Sequence, residues 1–452
     1  MVARDGFPPM PSMVPTDSRR EGRQIGECVM KVIIVGGGIC GLTAALSLHR
    51  AGIDCTIHEA AAELRALGVG INLLPHAVRE LAELGLGDDL ARVAIPTAEL
   101  IYANRHGQRI WQEPRGLDAG YNWPQYSVAR GDLQMILLQA VRDRLGADAI
   151  RTDHAFVRLD QDDAGVTGHF VHRSDGSAAD PVRGHILIGA DGIHSAVRGQ
   201  FYPDEGDPIW NGCVLWRATT VGEPFLTGRS MVMAGHADQK FVCYPVSREL
   251  HDQGKSLINW IAEIRYPTDT PWPREDWNRP GSIDTFLPAF MDWDFGWLKV
   301  PDIIRRAQAI YEFPMVDRDP VASWCFGRVV LAGDAAHPMY PIGSNGASQS
   351  IIDARVLARH LALSETPEQA LRLFDAERRP PTSAIVLANR GNGPEQVMQM
   401  VEERAPEGFG DVHDVISPVE LEEVSARYKM TAGFVPEALN SRASLDAHVS
   451  RR

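Results

Sequence analysis

The sequence predicts an α/β protein with an inserted antiparallel sheet and helices towards its C-terminus. Three observations predict it. Residues 30–60, "MKVIIVGGGICGLTAALSLHRAGIDCTIHEA", read as an apolar strand, a run of glycines, a helix, and a second strand ending in an acid. From about 209 to 264 the pattern changes to short alternating stretches bounded by turn residues, the signature of antiparallel strands. At 327–363, "GRVVLAGDAAHPMYPIGSNGASQSIIDARVLARHLAL", the order strand, loop, helix returns.

The elements follow in order. Residues 76–95 carry helical periodicity broken by Gly85 and Gly87, and residues 130–145 form an amphipathic helix. "RGHILIGADGIHSAVR" (183–198) is a strand, a tight turn and a helix start. "IWNGCVLWRATT", "SMVMAGH", "KFVCYPVS" and "SLINWIAEI" are the inserted strands. Helices fill the remainder. The expected boundaries are 30–200 and 316–395 for the two parts of the α/β domain, 201–315 for the β-rich insert and 396–452 for a helical segment and tail. Residues 1–29, rich in proline, arginine and glutamate, are expected to be a disordered extension, with Met30 directly before the first strand.

Bulk properties exclude several classes. The net charge of −14 over 452 residues argues against nucleic acid and anionic membrane as partners. No run approaches eighteen apolar residues, so no membrane helix is expected. The six cysteines are scattered without a C-x-x-C pair, which suggests neither a disulfide framework nor a metal site and fits a reducing, cytoplasmic setting. A monomer or a homodimer is expected.

Gly36, Gly38 and Gly41 fit G-x-G-x-x-G directly after the strand at 32–35. Gly36 permits the tight turn, Gly38 lets a pyrophosphate approach the backbone, and Gly41 lets the helix pack on the strand. The phosphates then face the positive end of a helix beginning near Ile39. Glu59 ends the second strand, where a carboxylate accepts hydrogen bonds from a ribose 2′-hydroxyl. This fingerprint does not separate NAD from FAD. In "GDAAHPMYPIGSNGASQ" (333–349), Asp334 stands just past a strand end, where it could accept from a ribityl hydroxyl or cap an ordinary turn. Gly343, Asn345, Gly346 and Ala347 form a small-residue loop opening a helix over 349–363, whose free N–H groups would favour negative charge.

Together, the glycine fingerprint with Glu59, "GADGIHSAVR" (189–198) and "GRVVLAGDAAHPMYP" (327–341) resemble the single-component FAD-dependent aromatic hydroxylases, the p-hydroxybenzoate and salicylate hydroxylase family. Order and separation match over roughly residues 31–395. "LGVGINLLPHAV", "YSVARGDLQMILL", "MDWDFGW", "FPMVDRDP" and "PIGSNGASQSIIDA" are most similar to the phenazine hydroxylases of that family, with Ser348 where many members carry Asn. The resemblance implies a Rossmann-type FAD-binding domain with an inserted antiparallel-sheet substrate domain. It implies that Ala60, Arg65, Val69, Arg130 and Gln134 join the glycines and Glu59 in holding FAD. Asp191 and Gly192 would serve FAD and a transient pyridine nucleotide, Asp334 the ribityl chain, and Asn345, Gly346 and Ala347 the flavin ring.

No second glycine fingerprint exists: "GVGINL" and "GFGDVH" lack the third glycine. NADH or NADPH is therefore expected as a transient co-substrate without a domain of its own. The resemblance implies hydroxylation by NAD(P)H and O2 through a C4a-hydroperoxyflavin, on a small aromatic or N-heteroaromatic compound that is phenolic, carboxylated or phenazine-like. A flavin oxidase or reductase, or a flavin-binding protein without catalysis, are the rivals; the W-x-W-x-I-P signature of flavin halogenases is absent.

For the substrate side, Arg217 and Leu215 share one strand face, and Tyr244 and Val242 share another. Arg217 could pair with a substrate carboxylate and Tyr244 could bond a ring hydroxyl; a salt-bridged Arg and a core Tyr are the bland alternatives. His76, His194 and His337 are possible proton acceptors, although isolated histidines are more often structural. Five of the ten tryptophans lie between residues 260 and 297, which suits either a flat aromatic ligand or core packing.

Overall fold

Residues 32–35 are apolar without alternation because both faces of their strand are covered, the pattern of a parallel sheet between helices. The computed structural model describes residues 30–66, 68–267, 269–270 and 279–447. The extension expected over 1–29 lies outside the described residues, as do Trp272 and Trp277 of the tryptophan group.

Six strands form the first sheet, in the order Cys325–Phe326, Val329–Leu331, Ile186–Gly189, Lys31–Val35, Asp54–His58, Ile150–Arg151. Lys31–Val35 is central, running parallel to Ile186–Gly189 and to Asp54–His58, with Val35 level with Gly189 and His58. Strand ends from three distant parts of the chain therefore arrive at one edge. The helices Ile39–Arg50, Arg130–Leu145 and Gly346–Leu363 pack together over this sheet. The last begins three residues before the expected 349, because Gly346 and Ala347 already belong to its first turn.

The second sheet has seven strands, in the order Tyr311–Asp317, Ile209–Gly222, Ser256–Arg265, Gln239–Pro245, Ser230–Gly235, Glu99–Ala103, Arg109–Pro114. Only four of these lie wholly within the 201–315 insert. Tyr311–Asp317 runs past its boundary, and Glu99–Ala103 and Arg109–Pro114 come from the 30–200 segment. The physical reason is an open edge: Ser230–Gly235 would be left unpaired, and Glu99–Ala103 satisfies it by parallel pairing from Ser230↔Glu99 to Ala234↔Ala103. The insert and the first segment thus share one sheet.

The ladder sorts this sheet's side chains into two faces. Arg217 lies opposite Ile261, Ile261 opposite Val242, and Val242 opposite Met233, so these four share one face with Leu215, Glu263, Lys240 and Tyr244. The other face carries Trp216, Trp260 and Phe241, which pack against Phe286, Phe290, Ile303 and Ile304. Trp260 Nε1 donates to Thr220 Oγ1 at 3.0 Å and Trp216 Nε1 to Glu312 Oε2 at 2.8 Å. Trp260 and Trp293 are therefore core residues of the outer face. The C-terminal part is helical as expected, with Pro367–Arg390, Gln396–Arg404, Pro418–Ala432 and Pro436–Ser441. Among the described residues no helix is long and apolar enough to cross a membrane.

Candidate active site

A cavity of about 510 Å³ separates the two sheets. Its walls are the start of the helix Ile39–Arg50, the strand Gly70–Leu73, the inner face of the seven-stranded sheet, and the loop from Met339 to Ala347.

Of the three fingerprint glycines, only Gly38 lines the cavity. Gly36 has φ +104°, and a Cβ there would stand 2.3 Å from the Ala190 carbonyl oxygen; a Cβ on Gly41 would stand 2.0 Å from the Gly36 carbonyl oxygen. Both glycines are demanded by backbone packing. Gly38 differs: a Cβ there would meet nothing within 4 Å, and Gly38 lines the cavity. Its helix has no side-chain cap, so its first N–H groups are free for an anion. Glu59 braces the loop, since Oε2 accepts from Gly37 N and Oε1 from Ala61 N, each at 2.7 Å. A carboxylate has further lone pairs beyond these two bonds. Gln134 braces it from the other side, donating to the Gly37 carbonyl at 3.4 Å. Ala60 follows Glu59, half-buried and off the cavity wall.

A second uncapped helix start faces the same space. Asn345 does not cap its helix; its Nδ2 donates to Gly343 O at 3.1 Å and to Tyr428 Oη at 2.9 Å, which fixes the loop. Gly343 has φ +67° and abuts Tyr428 so closely that a Cβ would lie 2.0 Å from its hydroxyl oxygen. Gly346 has open space above it, and Asn345, Gly346 and Ala347 all line the cavity. Ser348 faces away, accepting from Leu74 N at 3.1 Å.

Arg130 and Asp334 line the cavity between these two helix starts. Burial works against the charge of each, and each supports the other's charged form; His337 also helps keep Asp334 ionised. Arg130 N donates to Val69 O at 2.8 Å, tying Val69 into the wall. Asp191 stands behind the wall: it accepts from Ser195 Oγ at 2.5 Å and Val197 N at 3.2 Å, steadying the helix Ala196–Phe201, while Ala190 and Gly192 form the wall itself. Arg65 is exposed, pairs with Glu63 at 2.8 Å, and does not line the cavity.

Arg217 and Tyr244 both reach the cavity. The Arg217 guanidinium lies 5.3 Å from the centre of the Phe313 ring and donates to Gly70 O at 3.0 Å; its Nε is buried without a partner. It has no carboxylate partner among the described residues, and burial disfavours its charge. The Tyr244 hydroxyl makes no hydrogen bond to the described protein, and burial pushes its pKa up to about 12. The three candidate histidines are not brought to the cavity wall. His76 is buried against Phe434 and depressed to about 3 by burial, with Arg442 and Arg378 adding to the shift. His337 Nε2 lies 2.6 Å from Asp353 Oδ2, in a buried network with Arg378, and His194 is on the surface.

Sequence reasoning missed Lys240, Glu263 and Glu395, which also line the cavity. Lys240 Nζ lies 2.9 Å from Glu263 Oε2 and is hydrogen-bonded to Glu395. The period-two rule that paired Tyr244 with Val242 extends to Lys240; Glu263, opposite it, needed the strand register.

A model of the FAD binding domain family matches residues 29–207 and 303–388. The chain is 45% identical over 361 residues to the phenazine 1,6-dicarboxylic acid hydroxylase PhzS of Lysobacter antibioticus, covering 79% of this chain and 89% of that one. It is 33% identical to the 3-amino-4-hydroxybenzoate 2-monooxygenase PtnB3 of Streptomyces platensis, over 81% of this chain and 88% of that one. Among solved structures, Klebsiella pneumoniae HpxO complexed with FAD and uric acid superposes with a TM-score of 0.66 at 26% identity, covering 90% of this chain and 94% of that one. A salicylate hydroxylase substrate complex shares the fold, with a TM-score of 0.68 at 22% identity over 92% of this chain and 98% of that one.

Proposed function

The chain belongs to the FAD binding domain family, among its aromatic hydroxylases, and from that premise we propose that its substrate is a flat aromatic or N-heteroaromatic carboxylate held against Arg217 and Tyr244. It is an FAD-dependent monooxygenase, an enzyme class whose members use NAD(P)H and O2. Bound FAD, reduced by NAD(P)H, would supply the O2-activating chemistry by which one oxygen atom enters the aromatic ring and the other leaves as water.

The residues fit such a group. Open space above Gly38 and the uncapped helix behind it suit a diphosphate, and Glu59, with lone pairs left beyond its two backbone bonds, would accept from the adenosine ribose. Arg130 and Asp334, which line the same cavity, would hold the charged linker and its hydroxyls. The N–H groups of Gly346 and Ala347 would offset negative charge on a reduced ring, since a helix N-terminus carries about half a positive charge. In this reading Asn345 and Tyr428 keep that loop rigid.

The observation that carries the substrate assignment is the buried Arg217, a cation facing the cavity that forms no ion pair among the described residues and draws only longer-range support from Glu263. A buried charge left unpaired is costly, and a substrate carboxylate would complete it. Val242, Ile261, Phe313 and Met233 around it supply an apolar bed for a ring. The name of the 45% identical relative, a phenazine dicarboxylic acid hydroxylase, supports a fused-ring acid. Screening aromatic acids, phenols and phenazines for stimulation of NAD(P)H oxidation tests this, with mass spectrometry of the product formed under ¹⁸O₂. A carboxylated aromatic should stimulate oxidation and gain one labelled oxygen. Stimulation by neutral aromatics alone would remove Arg217 from the assignment.

A further inference from the structure

Lys240, Glu263 and Glu395 line two spaces at once. On one side is the active-site cavity. On the other is an outer pocket of about 10 Å³, close to the room of one water, walled also by the half-exposed Asn211, His236 and Arg265. All three side chains are at most 9% exposed. They are the polar part of the wall between cavity and outside, and no role described above uses them.

The reaction consumes a proton: aromatic C–H, O2, NAD(P)H and H⁺ give aromatic C–OH, NAD(P)⁺ and water. Once flavin and substrate fill the cavity and exclude water, that proton must reach the reacting atoms through the protein wall. We propose that Lys240, Glu263 and Glu395 form the proton passage of this active site, linking the outer pocket to the cavity in both directions. The inference rests on the monooxygenase reading above.

The chemistry of the trio suits this. Two carboxylates and one ammonium carry a charge of −1, and one added proton makes the group neutral. Both states keep Lys240 paired, so neither leaves a cation stranded in the interior. Glu263 and Glu395 each border both spaces, so a carboxylate that takes up a proton from the outer pocket can hand it on to the cavity. Lys240 meanwhile stays paired with the second carboxylate. Burial raises the Glu263 pKa and Glu395 adds to the rise, while Lys240 and, from the cavity side, Arg217 oppose it. On the outer side stand Arg265, which pairs with Asp238 at 2.9 Å, and the His236 ring.

The test uses the FAD-loaded enzyme and 4-nitrophenol, without NAD(P)H, so no turnover occurs. Stopped-flow absorbance follows nitrophenolate in the site, and a pH-indicator dye follows the proton reaching solvent. In the wild type both signals should rise together. Glu263→Gln and Glu395→Gln, made separately, should each slow both signals at least tenfold, with probe affinity within threefold and an unchanged melting temperature. Glu395→Asp, which keeps an acid, should recover much of the rate. Both substitutions bring the trio to neutrality, so the fold should tolerate them; Lys240 is left in place because its loss would strand two buried carboxylates. Proton release within twofold of wild type in both Gln variants overturns the proposal, as does probe binding by the wild type without proton release. Incorporation of ¹⁸O by the wild type is read separately, so loss of the passage would leave the hydroxylase reading standing.

Discussion

Replacing Arg217 by methionine should move ligand binding and protein stability in different directions. The guanidinium makes one bond to Gly70 O at 3.0 Å and stacks over Phe313, contributions of about 1.5–3 and about 1–2 kcal/mol. Against these stands the cost of keeping a cation in the interior without a carboxylate, several kcal/mol. Methionine fills similar apolar volume and leaves only the Gly70 carbonyl wanting a donor. The melting temperature of the ligand-free holoenzyme should therefore hold or rise. Removing one partner of a buried pair between Arg217 and a substrate carboxylate costs about 2–5 kcal/mol, or roughly 30-fold to several thousand-fold in Kd. Titration by flavin fluorescence, with an aromatic acid and its decarboxylated analogue side by side, measures this. The acid should weaken by that factor and the neutral analogue by less than about threefold. Equal weakening of both ligands, or a fall in melting temperature with affinity for the acid intact, would show that Arg217 is a structural cation.

Glu59→Ala strips the acceptor from Gly37 N and Ala61 N, and it should weaken FAD retention by about 1.5–3 kcal/mol, seen as roughly 10- to 150-fold in the Kd of reconstitution; an unchanged Kd would take Glu59 out of the site. Gly41→Ala drives a Cβ to 2.0 Å from the Gly36 carbonyl oxygen, a backbone atom that cannot step aside, and the flavin absorbance per chain should fall close to zero. Asp353 is held at about 2, below its ordinary 3.8, because His337 and Arg378 outweigh the opposing effect of burial. A depressed carboxyl stabilises the fold fully above its unfolded pKa, and that stability is lost as pH falls from about 4 through 2. Asp353→Asn should cost about 3–5 kcal/mol near neutrality and flatten the acid limb of a melting-temperature profile; an acid limb as steep as the wild type's would refute the assignment.

Local elements were legible in the sequence where one principle dominated. The glycine fingerprint, the helix from Arg130 and the alternating strands are governed by spacing along a few residues, and all appear where expected. Arg217 and Tyr244 were legible as cavity residues because alternation sets which face a side chain joins. Three other matters depended on partners far along the chain. Glu99–Ala103 is buried at every position, so it carries no period, and only its pairing with Ser230–Gly235 places it in the second sheet. Arg65 was read from its motif, yet it points to Glu63 at the surface. Glu395 sits in a short turn, and its role in the wall comes from Lys240, 155 residues away.

The shared seven-stranded sheet also bears on how such enzymes can be recombined. A chimera made by exchanging residues 201–315 alone would set a foreign Ser230–Gly235 edge against a resident Glu99–Ala103, and would break the row that joins Tyr102 to Met233 and Val242. The transferable cassette is discontinuous: residues 99–114 must travel with 209–317. The same topology closes a loop of more than a hundred residues before Glu99–Ala103 finds its place, so this sheet is expected to complete late in folding. Specificity grafts between relatives should then fail through slow or incomplete sheet closure, showing as aggregation during expression, before they fail in the chemistry of the cavity.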